Sequence, residues 1–341
     1  MNILLINHYA GSDLMGMEYR QFYLGREWVT SGHSVTVLAA DWSHLRGSQP
    51  TVRGDLDTTE EEGVRFRWLR TNRYDGNGAW RVANMLTFIG KLNLYAGRIA
   101  REQRPHVVIC SSAVARGLDP RKFVHIPNAV PVARAGTAED GELPCSVGKL
   151  IAQERARRRF LVGFAGSITV SNALETLLDA ALLLSTAGVS FLIAGDGPRT
   201  NTLREHAAEL GLDNFHMLGR LPKSAIQKFL AQTDALAIIL RNSPLYRFGT
   251  SLNKLFDYML AAKPILQASN ASNDLVSEAQ CGFTVGPEDP AAFAEAVGRL
   301  RALSEDERRL MGENGRRFVI ENHDYQILAR RFLDAIGHAA S

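Results

Sequence analysis

The chain has 341 residues, 45% of them hydrophobic and 22% charged, with a formal net charge of +3. These values describe a globular protein with room for two domains and give no electrostatic reason to expect nucleic acid as a partner. Cys110, Cys145 and Cys281 are widely spaced and form no CxxC, so neither a zinc site nor a disulfide framework is indicated, and a reducing compartment fits.

The opening "MNILLINHY" lacks a basic n-region and a cleavage site and reads as a first strand, not a signal peptide. No apolar run approaches the roughly 20 residues that span a bilayer. The expected location is cytoplasmic, peripheral to the inner membrane surface. A glycine-bearing loop, "HYAGSDLMG", follows the first strand, then a helix over about 17–30. "SGHSVTVLAA" and "GVRFRWLR" are the next strands, 79–104 a helix, and "HVVICSS" and "KFVHIPN" the last strands of this part. Residues 131–149, rich in small residues, glycine and proline, read as a linker.

Beyond it the strands "FLVGFAGS", "FLIAGDG", "FHMLGR", "ALAIIL", "PILQAS" and "GFTVG" alternate with helices at about 173–186, 199–210, 223–232, 252–262 and 273–279. Helices at about 290–302, 305–321 and 324–337 complete the chain, and Ser304 and Glu307 have capping-box spacing. Alternating strands and helices predict an α/β protein with parallel, doubly wound sheets. Two such units in tandem imply a cleft, with ligands outside the carboxyl ends of the strands. The expected division is 1–130, the linker 131–149, 150–322, and a helix over 323–341 that packs back on the first domain.

In "SLNKLFDYMLAAKP", residues 251–264, Leu252, Leu255, Phe256, Met259 and Leu260 make one apolar helical stripe. Ser251 is positioned as its cap and Lys263-Pro264 as its stop. Asn253, Lys254 and Asp257 share another face near the amino terminus. A helix start offers free N–H groups to a diphosphate, Lys254 adds positive charge, and the two oxygens of Asp257 suit the hydroxyls of a ribose. The alternative is an i,i+3 surface pair between Lys254 and Asp257. Gly11, Gly16, Gly166, Gly195, Gly197 and Gly219 fall at carboxyl ends of strands. They serve either tight turns or close approach to a phosphate-bearing ligand. None completes GxGxxG or a Walker motif, which disfavours a nicotinamide-dependent enzyme.

The segments "FAGSITVSNALETLLDAA", "FLIAGDGP", "HMLGRLPKSAIQKFLAQTDALAIIL", "SPLYRFGTSLNKLFDYMLAAKPI" and "CGFTVGPEDPAAFAEAV", in that order, resemble the nucleotide-binding domain of family-4 retaining glycosyltransferases of GT-B fold. "NHYAGSDLMGMEYRQFYLGREWVTSGHSVTVLAADWSHLR" is similar to a bacterial branch that acts in cell-surface polysaccharide synthesis and commonly handles nucleotide-linked amino sugars. The resemblance implies two Rossmann-like domains facing a cleft. It also implies a UDP-linked sugar as donor substrate, a glycan or lipid-linked glycan acceptor, retention of configuration, and no metal or other cofactor. Asp257 occupies the second acidic position of the family's Glu-x7-Glu motif, where a Glu usually binds ribose. Leu221, after Gly219-Arg220, lies where backbone groups read the base; Gly166 and Ser167 lie near the diphosphate, and Gly16 approaches it from the first domain. The donor-binding set so expected is Gly16, Gly166, Ser167, Gly195, Arg220, Leu221, Gly249, Ser251, Asn253, Lys254 and Asp257. No catalytic residue is assigned.

The chain departs from the family pattern at four points. The first acidic slot holds Gly249. The Arg and Lys common after Gly166 are absent, with Ser167 and Val170 in their place. Asp257 is one methylene shorter than Glu. Only "AVARGLDPR" separates "HVVICSS" from "KFVHIPN", although a parallel crossover needs a dozen or more residues; this shortens the first domain and admits an alternative, a nucleotide-binding protein with an incomplete catalytic site.

Asp55-Leu56-Asp57 matches a metal-binding DxD, but sits in a charged loop without a preceding strand and reads as solvated. His8, Glu18 and Arg20 are the acceptor-side candidates. The mixture of Trp80, Met85, Phe88, Ile89 and Leu92 with Arg81, Lys91, Arg98 and Arg101 suits either a core helix with a solvated basic face or a helix lying on an anionic membrane.

Overall fold

A computed structural model describes residues 1–16, 18–76, 78–110, 126–132 and 141–340. The chain divides into two compact units, one made of Met1–Ala129 and Tyr325–Ser341, the other of Val130–Asp324.

The first unit contains β1 (Asn2–Ile6), α1 (Arg20–Thr30), β2 (Ser34–Ala40), β3 (Asp57–Glu61), β4 (Val64–Leu69), α2 (Ala79–Gln103) and β5 (Val107–Cys110). Its sheet has the order β3-β4-β2-β1-β5, parallel except for the antiparallel edge pair β3–β4. Alternate side chains of β1 point to opposite faces: Ile3 and Leu5 join Phe22, Trp28 and Trp68, whereas Leu4 joins Leu38, Leu69 and Phe88. Asp57–Glu61, expected as part of a charged loop, forms β3; it carries no apolar residue because an edge strand half in solvent needs none. Of "KFVHIPN", residues 122–125 lie outside the described residues and Ile126–Asn128 form no strand. The shortened stretch between β5 and Ile126 likewise falls outside them.

The second unit runs α3 (Cys145–Ala156), β6 (Phe160–Ala165), α4 (Glu175–Leu183), β7 (Val189–Ala194), α5 (Thr200–Glu209), β8 (Phe215–Gly219), α6 (Lys223–Ala231), β9 (Ala235–Ile239), α7 (Asn253–Leu260), β10 (Ile265–Ala268), α8 (Leu275–Glu278), β11 (Gly282–Val285), α9 (Pro290–Ala302) and α10 (Glu305–Asn322). Residues 145–149, assigned to a linker by composition, begin α3, which buries Val147 and Ile151 at helical spacing. The capping box of Ser304 and Glu307 is formed at the start of α10. All pairings in the sheet β11-β10-β9-β6-β7-β8 are parallel. Phe160, Val162 and Phe164 of β6 face a core with α4 and α9, while Leu161 and Ala165 face one with α6 and α7. Helices on both faces explain the continuous apolar runs of these strands.

The last helix, α11 (Tyr325–Ala340), belongs to the first unit. Trp28 Nε1 donates to Ala329 O at 3.0 Å, and its ring meets Phe332 edge-on.

Candidate functional site

In the second sheet the chain steps from β6 outward through β7 and β8, then returns to β9 on the other side of β6. The carboxyl ends of β6 and β9 are therefore the switch point, where doubly wound sheets leave a crevice for ligands. The loop after β6 carries Gly166 and Ser167, and the loop after β9 leads into α7 with Lys254 and Asp257.

The three loops that follow β6, β7 and β8 lock together through backbone. Gly166 N donates to Ala194 O at 3.0 Å, Ile168 N to Asp196 O at 3.0 Å and Gly195 N to Gly219 O at 2.8 Å. A Cβ on Gly195, whose φ is +152, would collide with the Gly166 carbonyl oxygen. This glycine is required by the close approach of two backbone segments, whatever the site binds.

Lys254 Nζ reaches back to this loop. It donates to Asn172 Oδ1 at 2.8 Å and lies 4.6 Å from the centroid of the Phe164 ring. A Cβ on Gly166 would stand 3.3 Å from Nζ, so Gly166 and Lys254 are neighbours. Burial pulls the Lys254 ammonium down to about 8, and no carboxylate among the described residues offsets that. Asp257 is half-buried, and burial pushes its carboxyl up to about 6 against the opposing charge of Lys223. Among the described residues no hydrogen bond reaches its carboxylate. Lys254 and Asp257 are not paired with each other, so the i,i+3 ion pair does not form. Among the described residues neither Lys254 nor Asp257 has an ion-pair partner, although they lie one helical turn apart.

The amino terminus of α7 corrects one expectation. The N-cap is Leu252 and no side chain caps it; Ser251 stands one residue too early and is exposed. Asn253 is exposed at the first helical position. Gly249 has φ +94, and a Cβ there would lie 3.1 Å from Asn273 Oδ1. Asn273 also exchanges hydrogen bonds with the backbone of Thr250, both at 2.7 Å. This backbone favours glycine, which accounts for the missing acidic residue at 249. Ser167 is exposed, and its carbonyl accepts from Asn172 Nδ2 at 2.6 Å. Arg220 is exposed near Asp196, and the Leu221 side chain is buried in the core.

In the first unit the loop after β1 is held rigidly. Gly16 has φ +75, and Met15 O accepts from Gly47 N at 2.9 Å and Ser48 N at 3.1 Å. Buried Arg46 donates to Ala10 O through Nε and Nη2, at 3.0 and 2.6 Å, and to Ala40 O at 2.8 Å. His8 Nε2 lies 2.6 Å from Asn84 Oδ1. The Asn84 amide nitrogen donates to Asn72 O, which fixes the amide and makes Nε2 the protonated nitrogen of His8. Burial drops His8 to about 4, so the ring is neutral near pH 7. Glu18 has φ +58, and Arg20 donates to Asn128 Oδ1 at 2.9 Å and Ile126 O at 2.8 Å, which occupies its guanidinium within this unit. Of the DxD pair, Asp55 is structural, accepting from Lys91 at 2.9 Å and from Arg70 N at 2.8 Å, whereas Asp57 faces solvent and accepts from Arg53 N at 2.9 Å. Sequence reasoning missed Asn172, Phe164, Tyr258 and Arg46; a buried Tyr tip that needs a partner is the one signal that marks Tyr258.

Residues 159–302 match the family model of Glycosyl transferases group 1. This segment is similar to that family. The probable glycosyltransferase WbjE of Pseudomonas aeruginosa is 27% identical over 54% of this chain and 45% of its own length, so the chain spans about half the length of the curated relatives it matches. WaaG, a glycosyltransferase involved in lipopolysaccharide biosynthesis, has 12% identity and a TM-score of 0.63 over 97% of this chain and 98% of its own. Anabaena HepE, solved in complex with UDP and glucose, has 14% identity and a TM-score of 0.62 over 99% of each chain. The chain has the GT-B fold, two parallel-sheet α/β units in tandem.

Proposed function

We propose that the protein transfers a sugar from a nucleotide-sugar donor to a glycan or lipid-linked glycan precursor with retention of configuration. The observation that carries this reading is the pair Lys254 and Asp257, one helical turn apart at the switch point and unpaired with each other. The Lys254 ammonium and the start of α7 take the diphosphate, and the Asp257 carboxylate accepts from the ribose hydroxyls. In the transfer the bond from the anomeric carbon to the diphosphate oxygen breaks and a bond to the acceptor oxygen forms on the same face. The departing phosphate takes the acceptor proton, so no protein base is required. The UDP complex of HepE supports UDP as the nucleotide, and the resemblance of residues 8–46 supports an acetamido sugar for a cell-surface polysaccharide.

Calorimetry with UDP, GDP and NADH tests the binding half. UDP binding that weakens by about 1–3 kcal/mol in Asp257→Ala supports it; unchanged affinity removes Asp257 from the ribose. Turnover of donor with an acceptor extract tests the other half. Binding without turnover favours the second reading, an incomplete site, which the short stretch between Cys110 and Ile126 supports.

The same proposal places α2 on an anionic membrane, beside a lipid-linked acceptor. Only Asn84, Phe88 and Ile99 of this helix are buried, while Trp80 is 69% and Leu86 63% exposed. Among the described residues no helix is long and apolar enough to cross a membrane.

A further inference from the structure

Resting on the donor-site reading, we infer that Asn172 is a positioning residue: its amide fixes where the Lys254 ammonium meets the donor diphosphate, without neutralising its charge. Asn172 ends the 3-10 turn Val170–Asn172 between β6 and α4 and is buried. Its Nδ2 donates to Ser167 O at 2.6 Å and to Thr169 Oγ1 at 3.3 Å, and its Oδ1 accepts from Lys254 Nζ at 2.8 Å. A carbonyl only accepts and an ammonium only donates, so the amide has one allowed orientation. The side chain thus ties two strand-to-helix loops of the switch point to one another.

The chemistry of the partner matters as much as the geometry. Lys254 is half-buried against the Phe164 ring and the Gly166 backbone. A carboxylate at position 172 would hold the ammonium equally well, but would spend its charge and repel an incoming diphosphate. A neutral carbonyl oxygen with a ring face orients the cation and leaves its charge available. A lysine held only by neutral acceptors suits an anion that comes and goes better than it suits a structural ion pair.

The test compares UDP and uridine binding by calorimetry for the full chain, Asn172→Ala and Asn172→Asp, with thermal melts as a folding control. Both variants are expected to bind UDP about tenfold more weakly or worse while uridine affinity is retained. In Asn172→Asp the pH above which UDP affinity falls is expected to move upward, because the new carboxylate holds the proton on Lys254. A purely structural role for Asn172 moves neither the UDP-to-uridine ratio nor that pH. An unchanged ratio in both variants, with wild-type UDP binding intact, overturns the inference alone. Failure of the wild type to bind UDP or GDP overturns the donor-site reading and this inference with it. If Asn172→Ala does not fold, the nearly isosteric Asn172→Asp decides.

Discussion

Tyr258 and Ala165 exchange two hydrogen bonds: the phenol donates to the Ala165 carbonyl at 3.1 Å and accepts from its N–H at 2.8 Å. β9 pairs with β6 only at Val162 and Gly163, so beyond that point β6 is paired on its β7 side but has no strand partner on its β9 side. The hydroxyl of α7 stands in for the missing strand and ties the helix that carries Lys254 to the strand that leads into the Gly166 loop. Tyr258→Phe leaves a buried N–H and a buried carbonyl without a partner. The expected loss is about 1–3 kcal/mol of stability, read as a shift in the urea midpoint.

At Asp257, stability and binding are expected to oppose each other. Its folded value is raised to about 6 from an ordinary value of 3.8. Below both values the group is protonated in either state and has no effect. As pH rises between them the unfolded chain ionises first, so the folded state loses stability, and the loss is complete above about 6. Asp257→Asn should therefore be more stable than wild type at pH 7, by about 1–2 kcal/mol after allowance for its partial exposure, with the gain shrinking toward pH 4. It should also bind UDP more weakly. Urea titrations at pH 4.5 and 7 check the first outcome and calorimetry the second.

Restoring the acidic residue at position 249 is expected to harm the protein. Gly249→Glu must adopt φ near +94 beside the Asn273 amide, which is already committed to Thr250. A loss of about 1–3 kcal/mol and no gain in UDP affinity are expected. A gain in affinity would mean that the loop adapts and that glycine there is not imposed by its backbone.

The outer surface of α2 makes a prediction of its own. Val82, Leu86 and Ile89 are each at least half exposed, at 56%, 63% and 50%. Leu86→Glu with Ile89→Glu should abolish flotation with vesicles of anionic lipid and leave the melting temperature within a few degrees of wild type. Absence of flotation by the wild type removes the membrane from the proposal.

Much of the architecture was legible because burial on both faces leaves a strong trace. β6 and β9 are unbroken runs of apolar residues and glycine, and β7 and β8 are interrupted only by Ser190 and His216. The apolar stripe of α7 likewise shows which face carries Lys254 and Asp257. Elements with weak burial left no such trace. β3 reads "DTTEE" and borrows its order from β4, and α3 hides three buried side chains, Val147, Ile151 and Glu154, in a stretch of small and polar residues. Asn172 was invisible for a different reason: an asparagine in a turn is common, and only its distance to Lys254, a residue far along the chain, distinguishes it. Arg46 is similar, since a buried guanidinium satisfied by two carbonyls looks in sequence like any surface arginine.

The return of α11 to the first unit bears on biosynthesis. Trp28 is fully buried, and part of what covers it is Ala329 and Phe332, some three hundred residues later. Residues 130–324 form a unit that is contiguous in sequence, so all its parts are present once Asp324 has been made. The amino-terminal sheet, although translated first, must wait with an indole uncovered until the final helix emerges. Nascent chains halted before Tyr325 should therefore be the form most dependent on chaperones.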